Sequence, residues 1–231
     1  MSARKTDNTT TGRILTSGGG TTTFYGSVSH SGAEIRTAAN SSTVFFGPVN
    51  GPGAFTGAGT VYFENIYSPG SSPGLVSFAG DLVLSDVADL LIELAGAAPG
   101  TQYDRLTVAG SADVDGSLDV RFLDGFIPAR SNVFDILLAG SLTGSFDNPL
   151  RFGRLVPGGQ RGGFRLSYDD NTVTLDNWLL VGDINGDGAV NNLDIAPFVA
   201  LLTGGSTSLD ASFAGDVNAD LAVNNLDIAP F

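Results

Sequence analysis

Two runs of Asp and Asn near the C-terminal end are the residues best placed to do chemistry. GDINGDGAVNNLDIAPF runs from Gly182 to Phe198, and GDVNADLAVNNLDIAPF runs from Gly215 to Phe231. Asp183 and Asp216 open the two copies, so the period is 33 residues (216 − 183). A calcium loop of the EF-hand type supplies oxygens from loop positions one, three, five, seven, nine and twelve. Counted from Asp183 these are Asp183, Asn185, Asp187, the Ala189 carbonyl, Asn191 and Asp194. Counted from Asp216 they are Asp216, Asn218, Asp220, the Ala222 carbonyl, Asn224 and Asp227. Calcium is a hard cation that takes oxygen and no soft ligands, which suits Asp and Asn. Two Ca2+ ions are expected, one per loop.

The copies differ where the loop turns. Gly188 holds position six of the first loop, where positive φ is easiest without a Cβ. Leu221 holds it in the second, and a γ-branched residue resists that conformation. The first loop should therefore bind the tighter ion. Both loops end in Asp where the common pattern has Glu, so the following chain must lie closer to the ion. Val190 and Val223 stand at position eight, where two loops could pair edge to edge. Neither WLLV before the first loop nor SLDASFA before the second offers an apolar helix-length segment, so each unit reads as loop then helix. Pro197 and Pro230 fall inside the expected helices, which must begin near the proline or bend at it.

The motif D-x-N-x-D-G-x-V-N-x-x-D is complete at Asp183–Asp194 and nearly repeated from Asp216. On these residues the segment 179–231 resembles a type I dockerin, a small calcium-binding module that docks onto a cohesin domain. The resemblance implies a short α-helical module with a cohesin-like partner. It also implies that the residues just after position nine help recognise that partner. Here they are Asn192 and Leu193, then Asn225 and Leu226, identical in the two copies as a two-fold face requires. The Leu221 substitution and the end of the chain at Phe231 depart from the family pattern.

Composition narrows the rest. Net charge is −13, with one lysine, Lys5, among 11 basic residues, which argues against a nucleic-acid partner. There are no cysteines, so neither disulfides nor thiol chemistry. No apolar run is long enough to span a membrane. The start, MSARKTDNTTTGRILTSGGG, lacks the apolar core of a signal peptide. A dockerin-like module belongs outside the cell or on its surface. The expectation is a bacterial product truncated or mis-started, cut at both ends, with residues 1–19 disordered or truncated.

Residues 20–178 hold about eleven short β-type runs punctuated by Gly, Pro, Asn, Asp and Ser. Many alternate apolar with polar residues, the period of a half-buried strand. A β-sandwich and a parallel β-solenoid compete for this pattern. Ser68 to Phe146 decides for the solenoid. It resembles the β-strand-repeat passenger body of autotransporter-like surface proteins, in which G-x-L-x-V segments stack as coils of a right-handed β-helix. The matching pieces are Gly80–Leu84, Tyr103–Gly110, Gly116–Val120 and Phe134–Phe146. The fold expected is therefore mainly β, with a solenoid body before the dockerin-like module. A hairpin around Asp169–Asn171 should close it.

Catalytic residues are not evident. Asp104 and Arg105 point to opposite faces of an extended chain. Asp113, Asp115 and Asp119 recur at even spacing and could share a face. The pair to check for a paired-carboxylate site is Asp104 with Asp113 or Asp115. His30, the only histidine, lies in the polar run VSHSGAE and reads as a surface residue. Phe24, Tyr25, Phe45, Phe46, Phe55, Tyr62, Phe63 and Tyr67 read as strand core, with a carbohydrate platform as the other reading. The functional expectation is a surface stalk or adhesive body with a calcium-dependent docking module. The alternative is a dockerin-bearing glycoside hydrolase, polysaccharide lyase or carbohydrate-binding component.

Overall fold

The structure, a computed structural model, describes residues 5–8, 12–70, 73–205 and 208–229. Ser71 and Ser72 of the solenoid run, Met1–Arg4 of the N-terminal segment, and Pro230 with Phe231 lie outside the described residues. The chain forms two compact units. The first holds the described residues through Ile127, with 134–148 and 167–174. The second holds 128–133, 149–166 and the described residues from 175.

The first unit is a parallel β-solenoid of three strands per coil. Coil one is β1 (Thr6–Asn8), β2 (Arg13–Thr16) and β3 (Thr21–Phe24); coil two is β4 (Val28–His30), β5 (Glu34–Thr37) and β6 (Ser42–Phe45). Coil three is β7 (Val49–Gly51), β8 (Ala54–Thr56) and β9 (Thr60–Phe63); coil four is β10 (Ile66–Pro69), β11 (Leu75–Phe78) and β12 (Asp81–Leu84). Then β13 (Asp89–Leu94) is followed by the long β14 (Arg105–Val114), and β15 (Ser117–Phe122) by the long β16 (Val133–Gly144). β14 serves two faces. Its first half pairs with β11 and its second with β12, across a register shift between Val108 and Ser111. The strands Thr6–Asn8 and Arg13–Thr16 pair with β4 and β5. The solenoid thus begins inside residues 1–19, the segment expected to be disordered or truncated, because β-branched Thr and Ile there extend two existing ladders.

Pairing places like residues above one another. Thr6, Val28, Val49, Tyr67, Leu90 and Leu118 form one ladder. Ile14, Ile35, Phe55, Phe78 and Val108 form a second. Phe24, Phe45, Phe63 and Leu84 form a third. Strands in register sit about 4.8 Å apart, so flat rings one coil apart must stack. Phe45 lies 5.2 Å from Phe63 and Phe55 lies 4.5 Å from Phe78, both nearly parallel. The aromatic expectation therefore resolves mainly as core. Tyr25 and Phe46 remain exposed, but they stack at 5.4 Å and 7° and face each other rather than forming a side-by-side platform.

Corners need backbone without side chains. Gly57 has φ +85, and a Cβ there would sit 2.1 Å from the Thr37 carbonyl. Several polar groups inside are paired. Thr43 meets Thr37 at 2.7 Å and Thr16 at 3.0 Å. His30 corrects a surface expectation, for it is fully buried. Its Nε2 lies 3.1 Å from the Ala54 carbonyl and its Nδ1 3.2 Å from Asn8 Nδ2. Val28 and His30 share the inward phase of a strand, the alternation that could have revealed it.

The second unit contains β17 (Arg154–Leu155), antiparallel to β18 (Gly162–Tyr168), and β19 (Thr172–Leu180), strands whose far ends belong to the solenoid unit. It also contains α1 (Ile195–Leu202) and α2 (Leu209–Gly215). Leu179, Val181, Phe213 and Ala214 form its buried cluster, with Phe152, Val156, Ile184 and Val217 packed around it. The grouping differs from a boundary at residue 179, because residues 128–133, 149–166 and 175–178 belong to the same unit, and Phe152 and Val156 pack around its buried cluster. No described helix is long and apolar enough to cross a membrane.

Phe55 touches rings on three ladders, so Phe55→Ala should destabilise the solenoid by about 3–5 kcal/mol. Denaturant unfolding followed by far-ultraviolet circular dichroism measures this, and a loss under about 1 kcal/mol would contradict the ladder packing.

Candidate metal-binding loops

Each loop is built by backbone N–H groups converging on its first aspartate. Asp183 Oδ1 accepts from Gly186 N at 2.8 Å and Asp187 N at 3.0 Å, and Oδ2 accepts from Gly188 N at 2.9 Å. Asp216 Oδ1 accepts from Asp220 N at 3.0 Å and Oδ2 from Leu221 N at 3.2 Å. Such a fold-back requires left-handed residues. Gly186 and Gly188 have φ 74 and 91, and Ala219 and Leu221 have φ 66 and 69. The expected strain at Leu221 is present, and Ala219 adds a second left-handed residue that the sequence reading missed.

The twelfth-position aspartates close the loops. Asp194 Oδ1 accepts from Asn185 N at 3.0 Å and Oδ2 from Asn191 N at 2.9 Å. Asp227 Oδ1 accepts from Val217 N at 2.7 Å and Asn218 N at 3.0 Å, and Oδ2 from Asn224 N at 2.9 Å. The short Asp reaches because a tight 3-10 turn, Asn192–Asp194 or Asn225–Asp227, carries it back over the loop. Asn191 and Asn224 cap those turns, accepting from Leu193 N and Leu226 N at 2.8 Å. Asn185 bridges to Asp187 and Asn218 to Asp220, each at 3.0 Å. Asp187 and Asp220 accept from Ala189 N at 3.0 Å and Ala222 N at 2.9 Å.

Asp183, Asp194, Asp216 and Asp227 are buried, while Asn185, Asp187, Ala189, Asn191, Asn218, Asp220 and Ala222 are exposed and Asn224 is half-buried. The carboxylates turn toward N–H groups. Among the described residues no three acidic or histidine side chains converge as a metal-ligand group. The donor set still fits calcium: it is all oxygen, and in the first loop the buried Asp183 and Asp194 have no ion-pair partner among the described residues.

The flanking elements differ from expectation in two places. SLDASFA is helical: α2 runs straight into the second loop, started by Ser208, whose hydroxyl accepts from Ala211 N at 3.1 Å. Seven residues are too few for apolar periodicity to show, and the Ser208 cap was the available signal. Val190 and Val223 lie in no described strand, and each packs over the glycine before its own loop, Gly182 or Gly215. Pro197 falls in the first turn of α1, where a missing donor costs nothing. Asn192, Leu193, Asn225 and Leu226 are all exposed at equivalent positions.

Residues 181–230 match the family model of the dockerin type I domain. The C-terminal part of the chain thus carries a dockerin, and dockerins of this type bind calcium and dock onto cohesin domains. No curated protein and no solved structure matches the chain.

Of the carboxylates considered for catalysis in the solenoid, Asp113 and Asp115 line one pocket with Asp147, whereas Asp104 and Asp119 do not line it. Asp104 is buried, accepting from Gly74 N at 2.6 Å and Glu93 N at 2.8 Å, whereas Asp113 is exposed. Asp113 and Asp119 fall on different sheets, since the chain turns at Asp115–Gly116. Burial, opposed by those two N–H bonds, pushes the Asp104 carboxyl up to about 7, and burial lowers the His30 imidazole.

Leu221→Gly should relieve the left-handed strain and stabilise the C-terminal unit by about 1 kcal/mol. Thermal unfolding in excess calcium reads this, and a destabilised variant would contradict the strain at that position. A second prediction follows from Asp104. Its folded value is raised above 3.8, so the stability it contributes is full below 3.8 and lost as pH rises to about 7. His30 acts oppositely: its contribution is full above 6.5 and lost as pH falls through its lowered folded value. The stability difference between wild type and Asp104→Asn should fall from pH 4 to 7 and then level. A flat difference across that range would rule out a titrating Asp104.

Proposed function

We propose that the dockerin binds two calcium ions, one per loop, and that the ordered pair presents a cohesin-recognising face. The ligands are Asp183, Asn185, Asp187, the Ala189 carbonyl, Asn191 and Asp194 in the first loop. In the second they are Asp216, Asn218, Asp220, the Ala222 carbonyl, Asn224 and Asp227. The observation that carries this reading is the duplicated all-oxygen loop whose first and twelfth aspartates are buried against the backbone. When bound, calcium supplies the positive charge that these carboxylates lack. The protein's part is to hold them: Gly186 and Gly188 fold the first loop around Asp183, and Asn191 aims Asp194 across it.

The first loop binds more tightly, since Leu221 stores left-handed strain on the order of 1 kcal/mol in the second. The docking face consists of Asn192, Leu193, Asn225 and Leu226. Leu193 and Leu226 are 62% and 61% exposed, a cost for a lone domain that a partner's apolar surface would remove. The solenoid acts as a stalk or adhesive body on a secreted or surface-attached protein.

Calorimetric titration should find two calcium ions per chain, with Asp183→Ala removing the tighter. Cohesin capture should require calcium, and Leu193→Asp with Leu226→Asp together should abolish it while calcium uptake persists. A chain that takes up no calcium would sink the metal reading. Capture unchanged by the double substitution would sink the proposed face.

A further inference from the structure

Resting on the reading that the second loop takes calcium, we propose that Arg151 is a tethered counter-cation for that loop. Its guanidinium holds Asp216 in place when no metal is bound and lowers the loop's calcium affinity. Arg151 lies outside the repeated segment, in the short turn before β17. Arg151 and Arg154 exchange backbone hydrogen bonds at 2.9 and 3.0 Å, which fixes the root of the side chain. Nε donates to Asp216 Oδ2 at 2.8 Å, and a terminal nitrogen donates to the Asp216 carbonyl. The guanidinium also lies 5.2 Å from the centre of the Phe213 ring, over the helix that leads into the loop. The Arg151 side chain is 16% exposed and that of Asp216 0%, so solvent and salt screen the pair weakly.

In the first loop a guanidinium, that of Arg130, lies beside Gly186, but it pairs with Asp210 and with no loop aspartate. Asp183 accepts from three backbone N–H groups and, among the described residues, pairs with no cationic side chain. Two loops of nearly identical sequence thus differ in whether the neighbouring arginine pairs with the first aspartate: Arg151 does so with Asp216, whereas Arg130 pairs with Asp210. The guanidinium neutralises Asp216 beside Asp220 and Asp227, removing the repulsion that would open the loop without metal. A divalent ion ligated by the same carboxylate would meet that positive charge at close range and compete for Oδ2. Arg151 is therefore a positioning residue whose removal should act in opposite directions on metal-free order and on calcium affinity. A purely structural contact would weaken both.

The test uses the full chain carrying Asp183→Ala, so that only the second loop reports. Adding Arg151→Gln should tighten calcium roughly tenfold, the factor equal to about 1.4 kcal/mol. It should also speed metal-free hydrogen exchange at the Asp220 and Leu221 amides. Arg151→Lys, which keeps the charge, should stay within about threefold of its parent. Weaker or unchanged calcium binding in Arg151→Gln overturns the proposal while leaving the calcium reading intact. Absence of calcium uptake at both loops of the unmodified chain overturns that reading as well. Should Arg151→Gln not fold, the unmodified chain still decides. The Arg151 Nε–H resonance should be exchange-protected without metal and lose protection as the second loop fills; protection unchanged at saturation overturns the proposal.

Discussion

Parallel strands stacked one coil apart impose a single constraint on the solenoid: whatever points inward must be matched by the residue one coil above and below. Strand spacing sets that distance, so side chains that are flat or branched stack well and polar ones must find partners along the same axis. Phe45 on Phe63 and Phe55 on Phe78 satisfy the constraint with apolar faces. Thr16, Thr37 and Thr43 satisfy it with hydroxyls bonded to one another. His30 and Asp104 satisfy it at a cost, each held inside by backbone partners that fix its geometry and displace its titration from the usual range. The same demand explains the corner glycine Gly57, where stacked backbones come too close for a Cβ.

In the dockerin the organising force is local. Backbone N–H groups that a regular helix or strand would use up are left free by left-handed residues and turn onto a carboxylate. That arrangement concentrates negative charge in a small buried space, which is favourable only when a cation compensates it. The chain holds two answers to this demand. The first loop offers its aspartates to N–H groups alone, whereas the second also pairs Asp216 with Arg151. Sequence identity between loops therefore does not make them equivalent sites.

Legibility followed the range of the interaction. Ligand positions one, three, five, nine and twelve lie within a single turn of chain, so their spacing could be read directly from Asp183–Asp194 and Asp216–Asp227. The alternation of inward and outward residues marked strands such as Thr60–Phe63 for the same reason. The solenoid repeat was harder to see because coil length varies: 18 residues separate Val49 from Tyr67 but 28 separate Leu90 from Leu118 (67 − 49 and 118 − 90). Helix α2 escaped notice because two turns carry almost no periodic signal.

The sequence by itself determined the β-rich body, the all-oxygen loops and the strain at Leu221, since each depends on residue type and on neighbours a few positions away. Only the tertiary structure decided that His30 and Asp104 are interior, that Asp113 and Asp119 lie on different sheets, and that Arg151 reaches Asp216. Those outcomes depend on which strands become neighbours after many residues of intervening chain. Burial and electrostatic pairing are set by that adjacency, and no local pattern encodes it.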